Sequence, residues 1–268
     1  MERFLSLFEA LSWNLDHVGP MARCVRDAAL LLQAIAGYDP ADPYSANVPV
    51  DDYLAELQDG VRGWRVAVTQ GEFFQEADEI VLKMVEDAAH VFAALGAQVE
   101  RVEIPQIRQM AQANGLMVTS DAAAFHHQRL QENPQGYGED VLKRLQGGAA
   151  FTSTEYILAR RTQTLARRQF EQFFGQYDVL LLPATVMVAP RIGSTNAVER
   201  ARQLTRFTAP FNLTGLPALS VPGGFTTGES GRPMPLGLQI VAAPWAEARL
   251  LRLAYAFEQE VGYWKLHP

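Results

Sequence analysis

Thr205–Gln239, TRFTAPFNLTGLPALSVPGGFTTGESGRPMPLGLQ, is the stretch whose reading decides the fold. Thr214-Gly215-Leu216-Pro217 stops a helix, since glycine accepts positive φ and proline cannot continue the hydrogen-bond ladder. Ala218-Leu219-Ser220-Val221 reads as a short strand, closed off by Pro222-Gly223-Gly224. Thr226–Pro235 is rich in small and turn-forming residues and reads as a loop. Leu236–Ala243, LGLQIVAA, is a continuous apolar run of strand length. The expectation is that the two strands pair as a hairpin-like unit in the centre of a sheet.

Upstream, Val179–Leu182 is another unbroken apolar run, the pattern of a strand buried on both faces. The loop after it, Pro183–Ile192, leaves the strand at the end where open α/β sheets place ligands. Thr152–Phe174 reads as a long helix carrying Ile157, Leu158, Leu165, Phe170, Phe173 and Phe174. Asn196–Asn212 reads as a further helix, and Trp245–Glu260 as the last. Earlier still, Trp64–Thr69 reads as a strand. Ile80, Val81, Met84, Val85, Ala88, Phe92 and Leu95 then recur at helical spacing, and Gly96 ends the run. Val99–Ile104 alternates apolar and charged residues as a half-buried strand does. Strand, helix and strand over some forty residues make a βαβ unit with parallel strands.

Several other segments are legible. Trp13–Gly19 reads as a loop, and Pro20 opens a helix to Ala36 with Val25, Ala28, Ala29, Leu32 and Ile35 on one face. Asp51–Leu57 is a short helix candidate. Gln106–Gln131 is helical with a break at Asn114-Gly115, and Asn133–Gly136 is a turn. Residues 1–11 match no pattern. The fold class is therefore α/β, a mixed sheet flanked by helices, with residues 1–268 as a single domain.

Composition narrows the function. The chain is 48% hydrophobic and 20% charged, enough for a sizeable core. A net charge of −7 argues against a nucleic-acid partner. Cys24 is the sole cysteine, so no intramolecular disulfide forms, which suits the cytoplasm. Its place in an apolar helical pattern reads as an inert thiol. No signal peptide or membrane span is legible.

The candidates for chemistry are few. The lysines, Lys83, Lys143 and Lys265, lie in polar helical or terminal settings. Ser230, between glycines, lacks the strand-to-helix turn of a nucleophile elbow, and Ser220 belongs to a strand. His126 and His127 are adjacent and point about 100° apart on a helix, so they cannot share a metal as an i, i+4 pair does. His17 reads as a loop-bracing residue. With no CxxC, HExxH, GxGxxG or P-loop, neither a metal nor a cofactor is expected.

Three ordered stretches carry a family resemblance: SWNLDHVGPMARCVRDAALLLQAIAGYDPADP (12–43), YDVLLLPAT (177–185), and NLTGLPALSVPGGF followed by PLGLQIV and EARLLRLAYAFEQ. Together they resemble the amidase signature family, whose members cleave carbon–nitrogen amide bonds with a serine nucleophile. The resemblance implies a relay through a lysine and a second serine preceded by a cis peptide bond. Such a hydroxyl attacks only when a neighbouring base takes its proton, and lysine serves only with a lowered pKa. In the family, the Gly/Ser-rich signature and its lysine precede the stretch matched here by NLDHVGP, which begins at Asn14. The expectation is a C-terminal portion of the family fold with no catalytic residue, inactive as this chain. It would be a truncated product, a non-catalytic binding or scaffold module, or half of a split amidase completed by an N-terminal half. Self-association is the other expected contact. The resemblance places Pro183, Ala184 and Thr185, with Thr208 and Asn212, on the substrate side of a cleft for a small amide. The alternative for Thr208 and Asn212 is local helix-end bonding. Gln163 and Thr205 stand where the glutamine-dependent tRNA amidotransferases align an arginine and an aspartate, which places the chain nearer the general amidases.

Overall fold

The computed structural model describes residues 11–191, 197–228 and 231–266. Five strands form one sheet in the order β2-β1-β3-β5-β4. They are β1 (Arg65–Thr69), β2 (Gln98–Val102), β3 (Val179–Pro183), β4 (Ala218–Thr227) and β5 (Pro233–Ala242). β1 runs parallel to both β2 and β3, with Val66 opposite Val99 and Val179. β3 meets β5 antiparallel, Leu181 opposite Ile240, and β5 meets β4 antiparallel, Gln239 opposite Ser220. The sheet is mixed and the βαβ unit is present.

The helices are α1 (Val25–Ile35), α2 (Glu72–Gln75), α3 (Glu79–Ala94), α4 (Ile107–Phe125), α5 (His127–Glu132), α6 (Glu139–Ala149), α7 (Ser153–Phe174), α8 (Ala197–Leu204), α9 (Ala209–Thr214) and α10 (Glu247–Val261). Every residue of β3 is buried. α3 and α10 pack on the sheet and on each other, where Phe92 and Phe257 stack at 5.3 Å. α4, α6, α7 and α9 form a second packed group. It meets the sheet where the buried Gln239 of β5 donates to the Phe207 carbonyl.

Several boundaries depart from the sequence reading, each for a tertiary reason. α1 begins at Val25, not Pro20, because the Val25 N–H is received by the Glu258 carboxylate of α10 at 2.7 Å. A distant side chain thus supplies the cap that a local residue normally provides. Ile35 of α1 is exposed. Residues 51–57 form successive turns braced by Asp52, not a helix. α4 runs unbroken through Asn114-Gly115. The cost of about 1 kcal/mol for a mid-helix glycine is outweighed by burying Met110, Ala113, Met117 and Ala122. The interruption falls instead at His126. The helix read over 196–212 is two helices. Pro210 lacks the N–H that would bond the Arg206 carbonyl, so α8 and α9 are parted by the turn 205–208.

β4 does not stop at Val221. It continues to Thr227 through a bulge at Pro222/Gly224, and β5 starts at Pro233, so the paired strands reach into what reads as a loop. β5 is interior, but β4 is an edge strand rather than central, a position that tolerates Pro222. A Cβ at Gly223 would collide with Met84 of α3, so that glycine permits the helix to close on the sheet. On α7 the residues that pack inward are Ala159, Gln163, Ala166 and Phe170. Ile157, Leu158 and Leu165 face outward.

Candidate functional site

Thr185 follows the C-terminal end of β3, and its hydroxyl donates to the Met187 carbonyl at 2.7 Å. Thr208 sits at the N-cap of α9 and donates to the Thr205 carbonyl at 3.0 Å. Asn212, one turn on, donates to the Leu15 carbonyl at 2.6 Å and lies 3.0 Å from His17 Nδ1. His17 Nδ1 also approaches the Leu15 carbonyl at 2.8 Å. The structure therefore joins Asn212 to the 15–17 loop, whereas Thr185 and Thr208 bond within their own turns. Gln163 is buried, donates to the Leu213 carbonyl at 2.7 Å and accepts from Arg160. It anchors α7 to α9.

The 12–17 loop is held from its other side by Asp121. This carboxylate is 7% exposed and accepts from the Ser12 hydroxyl at 2.5 Å, the Asn14 amide at 2.9 Å and the Tyr156 hydroxyl at 2.7 Å. A buried carboxylate is tolerated when hydrogen bonds replace its hydration. Burial, then the bond to Asp121, pushes the Tyr156 phenol up to about 12. One hub thus ties α4, α7 and the loop that receives Asn212.

A second constellation borders a cleft of about 1220 Å³ between α4, α6 and α8. Glu76 pairs with Arg206 and with Arg108, the latter at 2.5 Å. Both guanidinium groups also lie over the Phe73 ring, at 4.6 and 5.5 Å. The bond from Arg206, then that from Arg108, lowers the Glu76 carboxyl to about 2. Thr205, Arg206 and Ala209 line this cleft beside Thr208, while Thr185, Thr208 and Asn212 do not. Gly148 of α6 fits so closely on α4 that a Cβ would strike the Thr119 carbonyl.

The remaining candidates have settled places. Lys83 pairs with Asp87 at 2.7 Å on the surface, Lys143 is exposed, and Lys265 lies over the Trp264 ring. Ser220 is exposed on the edge strand, and Ser230 lies outside the described residues. His126 contacts the Tyr137 hydroxyl and His127 contacts Gln131, so they turn to different partners. Cys24 is half-buried, and burial pushes its thiol up, away from the reactive thiolate. Among the described residues no group of three or more His, Cys, Asp or Glu is placed to hold a metal ion. No described helix is long and apolar enough to cross a membrane. Sequence reasoning missed the Asp121 hub and the Glu76 triad. The one available signal was a carboxylate following Met110, Ala113 and Met117 on the inward face of α4.

The fold and these loops define a known class. The Amidase family model matches residues 6–251, and the chain belongs to that family. It is 36% identical over 272 residues to an amidase of Pseudomonas putida, spanning 97% of this chain and 56% of that protein. It is 34% identical to the A subunit of the glutamyl-tRNA(Gln) amidotransferase of Moorella thermoacetica, spanning 97% and 57%. Among solved structures, it superposes with a TM-score of 0.85 and 27% identity on a chain of a vestigial protein complex that bears on the origins of an s-triazine catabolic enzyme. That likeness spans 94% of this chain and 55% of the other. The chain spans a little over half the length of the curated relatives it matches.

Proposed function

We propose that these 268 residues are the C-terminal portion of an amidase-signature fold, folded as a single domain, and that they do not hydrolyse amides alone. One observation carries this reading. The lysines are engaged or placed elsewhere: Lys83 pairs with Asp87, Lys143 is exposed and Lys265 lies over the Trp264 ring, so among the described residues no lysine is hydrogen-bonded to a serine to take its proton. Lys83 is exposed and already paired with Asp87 at 2.7 Å. The Gly/Ser-rich signature and its lysine belong to the rest of the family fold, supplied by a further segment or a complementing chain. The shared sheet and the continuous core support the single-domain reading.

On this reading the chain contributes the substrate-side wall. Thr185, Thr208 and Asn212 border the small amide, and Asp121 positions the 12–17 loop against Asn212. Its setting is the cytoplasm, with no nucleic-acid partner. The test is ammonia release from benzamide and propionamide by the purified chain. No release above the buffer rate is expected from the chain alone, and turnover is expected only with a complement bearing the signature. Turnover by the chain alone overturns the proposal.

A further inference from the structure

The cleft between α4, α6 and α8 does not share the chain's negative charge. Arg108, Lys143, Arg144, Arg202 and Arg206 line it, against Asp140 and Glu199. Glu76 offsets one of the two guanidiniums it braces. Among the described residues neither Lys143 nor Arg144 has an ion-pair partner. On a molecule of net charge −7, a concave surface of this sign concentrates anions.

Two further observations point to a ligand. Among the described residues Arg206 Nη2 and Asn114 Oδ1 find no hydrogen-bond partner; both residues line this cleft, and the two atoms lie just beneath its surface. Buried polar groups are normally satisfied, so two orphans just beneath one cavity leave polar capacity that a small side-chain movement turns towards a ligand. Arg206 is also pre-organised: Glu76 takes its Nη1, and the Phe73 ring lies beneath its guanidinium. In addition, Gly115 of α4 and Gly147 of α6 line the same space, and a Cβ at either would meet nothing within 4 Å. Leu116 and Phe151 add apolar surface.

We propose that this cleft binds a small organic carboxylate with an apolar body, at a site beside Thr208 that is distinct from the wall of Thr185, Thr208 and Asn212. Arg206 receives the carboxylate as a fixed guanidinium, Lys143 and Arg144 supply the attracting field, and Leu116 and Phe151 take the apolar part. This site does not rest on the proposed amidase role, because binding is measured without turnover.

The experiment is calorimetric titration of the 268-residue chain at pH 7 with 4-carbamoylbenzoate, benzamide and inorganic phosphate. 4-Carbamoylbenzoate is expected to bind about 10-fold or more tighter than benzamide, and to weaken in higher salt. In Arg206→Gln, and separately in Lys143→Gln/Arg144→Gln, the advantage is expected to shrink to about 3-fold or less. Circular dichroism confirms that each variant is folded, and the double variant at exposed positions keeps the test open should Arg206→Gln unfold. Equal affinity for benzamide, equal affinity for phosphate, or indifference to both substitutions overturns the proposal. A failed ammonia assay leaves this result untouched.

Discussion

At the residue scale, two carboxylates organise the molecule in opposite ways. Glu76 is 39% exposed and braces Arg108 and Arg206. Its folded-state value of about 2 lies below the ordinary carboxyl value. The pairing therefore stabilises the fold above about pH 4.5 and is lost as pH falls towards 2. Solvent screening limits its worth to about 0.5–1 kcal/mol. The stability difference between wild type and Glu76→Gln, from urea melts, should be present at pH 6, shrink below pH 4.5 and vanish near pH 2. A difference constant across that range contradicts the assignment. Asp121 works inside the core instead. Tyr156→Phe removes one of its three donors and should lower stability by about 1–3 kcal/mol, read from the same melts. The loss should persist to high pH and fade only as the Tyr156 phenol ionises towards 12. Neither constellation was legible in the sequence, since Glu76 and Arg206 are 130 residues apart and Ser12 and Asp121 are 109 apart. Charge pairs on one helix can be read from spacing, but these are set by how helices pack.

At the scale of elements, what local periodicity controls was legible: β1, α3 and β2 from the change of repeat, β3 from its unbroken apolar run, and α10 from its apolar face. The departures arise where a distant partner decides. Glu258 caps α1 in place of a local residue, and the antiparallel ladder carries β4 past Pro222 once a bulge absorbs the mismatch. Of the candidate site, Thr185 lies in a loop, Thr208 at the N-cap of α9 and Asn212 within that helix. The cleft beside them was invisible because three sequence-distant helices build it. Gly148 gives a direct test of that packing. Alanine normally raises helix stability by about 1 kcal/mol over glycine. In Gly148→Ala the added methyl meets the Thr119 carbonyl, so the expected outcome is a lower Tm. A higher Tm refutes the close approach of α4 and α6.

At the scale of the whole molecule, the outer face of α7 presents Ile157 at 64%, Leu158 at 58% and Leu165 at 49% exposure. α1 adds Leu30, Leu31 and Ile35. Large exposed apolar side chains favour association, so the chain alone should sediment as dimers or larger species. Replacing Ile157, Leu158 and Leu165 with glutamine should shift it towards monomer, and a monomeric wild type contradicts this. The family membership and the mixed sheet describe an amidase scaffold, and the central claim concerns what that scaffold does by itself. The measurement that bears on it most directly is ammonia release from a simple amide by the purified 268-residue chain. The expected result is no release above the buffer rate; turnover that a single serine or lysine substitution in this chain abolishes would contradict it.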